Sequence, residues 1–217
     1  MPNPNSFSFD EAGRGTLAGP VSVGCVSFDH NTLKRIQAGE ILKSLRDSKK
    51  IPEPKRLELR KEILEHVRYW HVSFVSAKYI DKFNINQAIF YGIGRSLPKV
   101  TDPTNPKLDP ETKPFLFLDG NYKLKITNPI DGYLSIPKGD DLVPSISAAS
   151  ILAKTFRDEY MESMDRKYPG YGFAKHKGYG TEEHRDALRK LGISPIHRLS
   201  FCDFLRREGS EPSLFSN

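Results

Sequence analysis

The chain has 217 residues, 37% of them hydrophobic, with 33 Lys and Arg against 27 Asp and Glu, a formal charge of +6 and a pI near 9.2. That length suits one globular domain with a sizeable core, and the basic balance favours a polyanionic partner. Two cysteines, Cys25 and Cys202, give neither a disulfide framework nor a zinc spacing, residues 1–8 lack the pattern of a signal peptide, and nowhere do about 18 apolar residues run together, so a cytoplasmic protein without a membrane span is expected.

From Ser6 to Phe9 serines alternate with Phe7 and Phe9, the pattern of a strand, and the strand runs into Asp10-Glu11 and then Gly13-Arg14-Gly15. Two carboxylates and an arginine therefore meet at one bend. Adjacent acids repel each other, which is tolerated where a divalent cation or another strong positive charge sits beside them. The glycines let backbone come close to a phosphate or sugar. Val21, Val23 and Cys25 alternate with Ser22 and Gly24, a second strand that forms a hairpin with the first.

Asp47-Ser48-Lys49-Lys50, followed by Pro52 and Pro54, reads as a turn into a helix with Leu57, Ile63, Leu64 and Val67 on one face. Trp70, Val72 and Phe74 mark another strand. The next helix is capped by Asn84 and turns Ile85, Ala88, Ile89 and Ile93 to the core. The proline-rich stretch from Leu97 to Pro114 is a surface loop.

Phe115-Leu116-Phe117-Leu118 is wholly apolar, which predicts a strand buried on both faces, and it ends at Asp119. Tyr133 to Ile136 predicts a further strand, with Asp140 and Asp141 just beyond it. A long helix starts at Val143 or Pro144, with Ile146, Ala149, Ser150, Ala153, Phe156, Tyr160 and Met164 at three- and four-residue spacing, and packs behind the strand ends. Residues 171–180 form a loop mixing aromatics, glycines and bases. Thr181 caps the next helix, which Gly192 ends.

Asp10, Glu11, Asp119 and Asp140 thus lie at strand ends or in turns next to them. Hard oxygen ligands from several segments suit Mg²⁺ or Mn²⁺, and two such ions could activate a water and stabilise a departing sugar oxygen. His176, His184 and His197 read as surface or packing residues. No Gly-x-Ser-x-Gly and no Walker loop supports acyl transfer or nucleotide hydrolysis. Spacing alone points to a metal-assisted nuclease.

The ordered series Asp10 to Val21, Asp47 to Lys50, Asn84-Ile85 with Gln87-Ala88, Leu118-Asp119-Gly120, Lys138-Gly139-Asp140, Ser147 to Lys154, Arg157-Asp158, Tyr168-Pro169, Lys177 to Thr181 and His197 to Phe201 resembles ribonuclease HII, the type 2 ribonuclease H family, over nearly the whole chain. The resemblance implies an α/β ribonuclease H-like fold, a central mixed sheet flanked by helices: residues 1–180 catalytic, 181–208 a helical appendage beside the substrate groove, 209–217 a flexible tail. It implies cleavage of the RNA strand of RNA–DNA hybrids and incision at single ribonucleotides in duplex DNA, leaving 5′-phosphate and 3′-hydroxyl ends.

By the same resemblance Asp10, Glu11, Asp119 and Asp140 are the metal-binding acids. Gly13, Arg14 and Gly15 contact the 2′-hydroxyl and phosphate, Lys49 and Lys50 border the groove, and Tyr179 packs against the next sugar. Thr16, where the family commonly has proline, and Phe9, in place of a smaller aliphatic, depart from the pattern without removing a catalytic group. The rivals are another two-metal nuclease of the same fold, such as a junction resolvase or a ribonuclease HIII, and a catalytically silent hybrid-binding module. The tail is similar through Ser213, Leu214 and Phe215 to a sliding-clamp docking peptide, with Glu211 and Pro212 departing from it. A monomer is expected.

Overall fold

A computed structural model describes residues 3–45, 51–97, 109 and 111–207. Lys49, Lys50, most of the proline-rich stretch and the tail with Ser213, Leu214 and Phe215 lie outside these residues.

Five strands, β1 (Ser6–Ala12), β2 (Val21–Ser27), β3 (Tyr69–Val75), β4 (Phe115–Asp119) and β5 (Gly132–Ile136), form one mixed sheet in the order β3-β2-β1-β4-β5. The antiparallel pairing sets Asp10 opposite Gly24, and β1 runs parallel to β4 with Phe9 beside Leu118. That parallel register brings the carboxyl ends of β1 and β4 together. Asp10 and Asp119, far apart in sequence, become neighbours for this reason.

Helices cover both faces. On one lies α3 (Ala77–Ser96), whose Ile80, Ala88, Ile89 and Ile93 are buried with Phe7, Phe9, Val23, Leu116 and Leu118. On the other lies α5 (Pro144–Lys167), packed through Ala148, Ala149 and Leu152 against Val26 and against Leu59 and Ile63 of α2 (Glu53–His66). The approach of α5 is close because Gly24 has no side chain: a Cβ there would stand 2.2 Å from the Ala149 carbonyl oxygen.

A third cluster joins Leu17, Ala18, Met161 and Phe173 to Leu188 of α7 (Glu182–Leu191) and to Cys202 and Leu205. Thr181 caps α7 by accepting from the His184 amide, and Gly192 follows its last residue. No helix among the described residues is long and apolar enough to cross a membrane.

Several expectations are corrected. Leu57 faces outward at 38% exposure, and Leu59 takes its place on the buried face of α2, because the core lies to the Ile63 side of the helix. Phe115 and Phe117 are only partly buried while Leu116 and Leu118 are sealed, so β4 is covered unequally. The helix assigned to Asn84 begins earlier, at Ala77 behind the Ser76 cap. Asn84 still caps its second half: its φ of +67° breaks the helix, and its Oδ1 accepts from the amides of Asn86 and Gln87. Three short helices were not expected: α1 (His30–Gln37), α4 (Gly139–Leu142) and α6 (Phe173–His176). Asp140 therefore stands in the first turn of α4, not in a turn.

Candidate active site

The acids are delivered by strand geometry. Asp10 lies on the side of β1 that faces α5, as Ser8 does through its bond to Ser145; there Asp10 bonds Ser150, and its Oδ1 also accepts from the Glu11 amide at 2.7 Å. Alternation turns Glu11 the other way, where its Oε1 accepts from the Tyr122 hydroxyl at 2.6 Å. Asp119, at the end of β4, accepts through Oδ1 from the Asp140 amide at 3.3 Å. The Asp140 carboxyl is buried and lines a separate hollow of about 240 Å³ with Leu45, Val143 and Ser147.

Burial pushes the Asp10 carboxyl well above the usual carboxylate range, and the charges of Glu11 and Asp119 push it further. Glu11 is also raised, by burial first, against the opposing effect of the Tyr122 hydroxyl and Arg14. Repulsion among Asp10, Glu11 and Asp119 thus adds to the cost of their burial. Among the described residues no three His, Cys, Asp or Glu side chains are arranged to hold a metal ion as they stand.

Arg14 reaches over the acids from the glycine turn. Its Nη1 donates to the Tyr122 hydroxyl at 2.6 Å and lies 3.4 Å from Glu11 Oε1, and its Nη2 donates to Asn86 Oδ1 at 2.7 Å. A groove of about 320 Å³ is lined by Glu11, Gly13, Arg14, Gly15, Arg56, Ser150, Lys154 and Tyr179. The structure thus gathers Glu11, the turn and Tyr179 around one space, with Asp10 and Asp119 behind Glu11 and Asp140 beside Asp119.

Behind the turn lie Arg157 and Arg198, both fully buried, which stand in the series that carries the resemblance but have no role assigned there. Arg198 donates to the carbonyls of Gly13, Arg14 and Gly19, and Arg157 to those of Pro20, Ala18 and Lys177 and to Thr16 Oγ1. Burial, with the charge of Arg157 adding to it, lowers the Arg198 pKa to about 9. Gly13 has a φ of +84°, and a Cβ there would collide with the Arg157 guanidinium, so only glycine fits. Thr16 closes the turn by donating to the Gly13 carbonyl at 3.1 Å. Arginines in a basic chain read as surface charge, and nothing in their spacing announced these two.

Tyr179 is held by a buried histidine relay. Its carbonyl accepts from His184 Nδ1 at 2.8 Å, so His184 Nε2 is the acceptor at its 3.0 Å contact with His197 Nε2. His197 Nδ1 in turn accepts from the Ser194 amide at 2.9 Å. His176 stacks on His184 at 4.3 Å, and its carbonyl accepts from the Tyr179 amide. The three rings are packing residues, as expected, while the Tyr179 ring stays 43% exposed.

Burial lowers His184 to about 4 and His197 to about 3. The unfolded chain takes up these protons near the ordinary histidine value of about 6.5, so the relay's stabilisation is complete above that pH and drains away as pH falls toward the folded values. The melting temperature is expected to fall over this window, and His197→Gln to flatten the fall. Equal pH slopes for the two proteins would show that the relay carries none of it.

Residues 8–204 match the family described as Ribonuclease HII. The ribonuclease HII of Nitrosospira multiformis is 41% identical over 193 residues, covering 89% of this chain and 87% of that one. Among solved structures, the ribonuclease H2 from Pyrococcus horikoshii OT3 is similar with a TM-score of 0.71 at 20% identity, over 95% of this chain and 99% of that one. The PCNA:RNase HII complex from Archaeoglobus fulgidus gives 0.67 at 20% identity over 97% and 98%. Bst-RNase HIII in complex with Mn²⁺ gives 0.67 at 20% identity over 94% and 63%. These structures share the α/β ribonuclease H-like fold, a mixed sheet between helices. The chain therefore belongs to the ribonuclease HII family of endonucleases.

Proposed function

We propose that the chain cleaves the RNA strand of RNA–DNA hybrids and incises at single ribonucleotides embedded in duplex DNA, leaving 5′-phosphate and 3′-hydroxyl ends. The observation that carries this reading is the groove in which Glu11, the Gly13-Arg14-Gly15 turn and Tyr179 face one space. Asp10, Glu11, Asp119 and Asp140 would hold Mg²⁺ or Mn²⁺. The donor set fits: all are hard carboxylates, and a dication would relieve the repulsion that raises Asp10 and Glu11. When bound, such ions supply Lewis acidity that activates water and stabilises the departing oxygen.

The chain's own groups choose the substrate. With the carbonyls of Gly13 and Arg14 engaged by Arg198, the N–H groups of the turn are available to a 2′-hydroxyl, which both donates and accepts. Arg14 adds charge for the adjoining phosphate. The Tyr179 ring, fixed at its backbone and free at its edge, fills the space beside the next sugar and favours one lacking the hydroxyl. Lys154, 5.7 Å from the centre of that ring, and Arg56 complete a basic wall.

The test is a DNA duplex carrying one ribonucleotide, incubated with Mg²⁺, Mn²⁺ or a chelator beside a plain hybrid. Cleavage of both with metal and of neither with chelator is expected, and intact substrate under every condition would overturn the proposal. Tyr179→Ala is expected to weaken the preference for an RNA-to-DNA junction more than the affinity for plain duplex, because phosphate contacts carry most of the affinity. Equal losses on both would make Tyr179 structural only.

We read the enzyme as a cytoplasmic monomer with residues 181–208 as an appendage of the catalytic part. For the tail, weak docking of Ser213, Leu214 and Phe215 on a sliding clamp is supported by the PCNA complex of the archaeal relative. Identical clamp binding by the intact chain and by one ending at Glu208 would dismiss it.

A further inference from the structure

The largest hollow among those described is not the one that holds the acids. It measures about 700 Å³ and lies between α3 and the segment after β4, with Tyr79, Tyr91, Arg95 and Lys125 among its lining residues. Two rings of α3 that line it, Tyr79 and Tyr91, stack on each other, and the ring of Phe83 tilts against Tyr79 beside it. Tyr79 lies 4.6 Å from Tyr91 at 17° between planes and 4.7 Å from Phe83 at 45°. Each end carries a cation, Lys82 at 5.0 Å from the Phe83 ring and Arg95 at 5.8 Å from the Tyr91 ring. Phe83 and Tyr91 are 42% and 44% exposed, so the stack is not core.

Charge is one-sided here. Residues 77–97 and 120–130 contain Lys78, Lys82, Arg95, Lys123 and Lys125 against the single acid Asp81. Asp81 is turned away, accepting from the amides of Leu199 and Ser200. Across the hollow Lys123 and Lys125 are exposed while Leu124 and Ile126 pack on the core, which presents the cations to the rings. Exposed rings bind bases by stacking without regard to sequence, and flanking cations bind the phosphates between them.

We propose that this hollow, with the Phe83 ring and Lys82 beside it, binds single-stranded nucleic acid, with bases on Tyr91 and Phe83 and phosphates at Arg95, Lys125 and Lys82. It adjoins the acids, since Phe90 of its lining meets the Tyr122 ring edge-on at 5.8 Å and Tyr122 bonds Glu11. An unpaired strand leaving the groove can therefore continue along α3. The inference does not depend on the nuclease reading, and its test involves no cleavage.

The probe is a fluorescent oligothymidylate of about ten nucleotides, its binding followed by anisotropy in chelator, beside an abasic strand and an oligoglutamate of the same length. Wild-type protein is expected to bind the oligothymidylate about tenfold more tightly than either control. Tyr91→Ala and Phe83→Ala should each erase most of that preference, and Arg95→Ser should flatten the salt dependence. Melting curves check that these exposed substitutions leave the fold intact, and Arg95→Ser keeps the test open should a ring variant fail to fold. Equal affinity for bases and abasic strand, equal affinity for oligoglutamate, or variants that bind like the wild type would each overturn the proposal.

Discussion

Asp10→Asn is expected to lower turnover by about a thousandfold or more while raising the melting temperature by a few degrees at neutral pH. The first effect follows from the assigned role: a neutral amide keeps the shape but cannot bind a dication with comparable strength. The second follows from the environment of Asp10, which is buried beside Glu11 and Asp119. Its folded pKa is raised, so the folded chain holds this proton more tightly than the unfolded one, and stability is lost as pH rises through that window. An amide stays neutral at every pH and avoids the loss. Single-turnover cleavage and calorimetric melting check the two halves separately. Turnover close to the parent's would take Asp10 out of the chemistry, and a lower melting temperature would refute the repulsion.

Arg198→Met should cost about 3 kcal/mol or more of stability, because the buried carbonyls of Gly13 and Gly19 and the partly buried one of Arg14 lose their donor together. Urea unfolding measures this. Activity should fall as well, through a raised KM, since Arg14 and the turn lose their fixed orientation. Arg198→Lys keeps the charge but not the fork of donors and should recover only part of either quantity. A loss of stability below about 0.5 kcal/mol would mean that water replaces the guanidinium at no cost.

The sheet was legible because its strands announce themselves: Phe7 and Phe9 alternate with serine, and Val21, Val23 and Cys25 with Ser22 and Gly24. The places of Asp10, Glu11 and Asp119 were legible for the same reason, as polar residues at the ends of apolar runs, whereas the short helix that carries Asp140 was not. What stayed hidden depends on tertiary direction. Leu57 and Leu59 are equally apolar, and only the position of α5 decides which one is buried. Asn84 looked like a cap and is one, yet no local signal showed that helix would also precede it. Arg157 and Arg198 have the composition of surface residues, and their burial is created by carbonyls of the glycine turn. Tyr122 and Asn86, which hold Arg14 over Glu11, lie in segments read only as loop and as helix face.

The contact between Arg198 and Gly13 also has a consequence in time, for the two residues are 185 positions apart. A chain made from its amino end can form the β1–β2 hairpin early, but its glycine turn must wait until Arg198 has been made before the carbonyls find their donor. A nascent or prematurely terminated chain that ends before Arg198 would carry all four acids and an unset turn. On the proposed function, selectivity for the sugar would be absent until Arg198 has been made, so ribosome-bound fragments that end before it would have acids without discrimination.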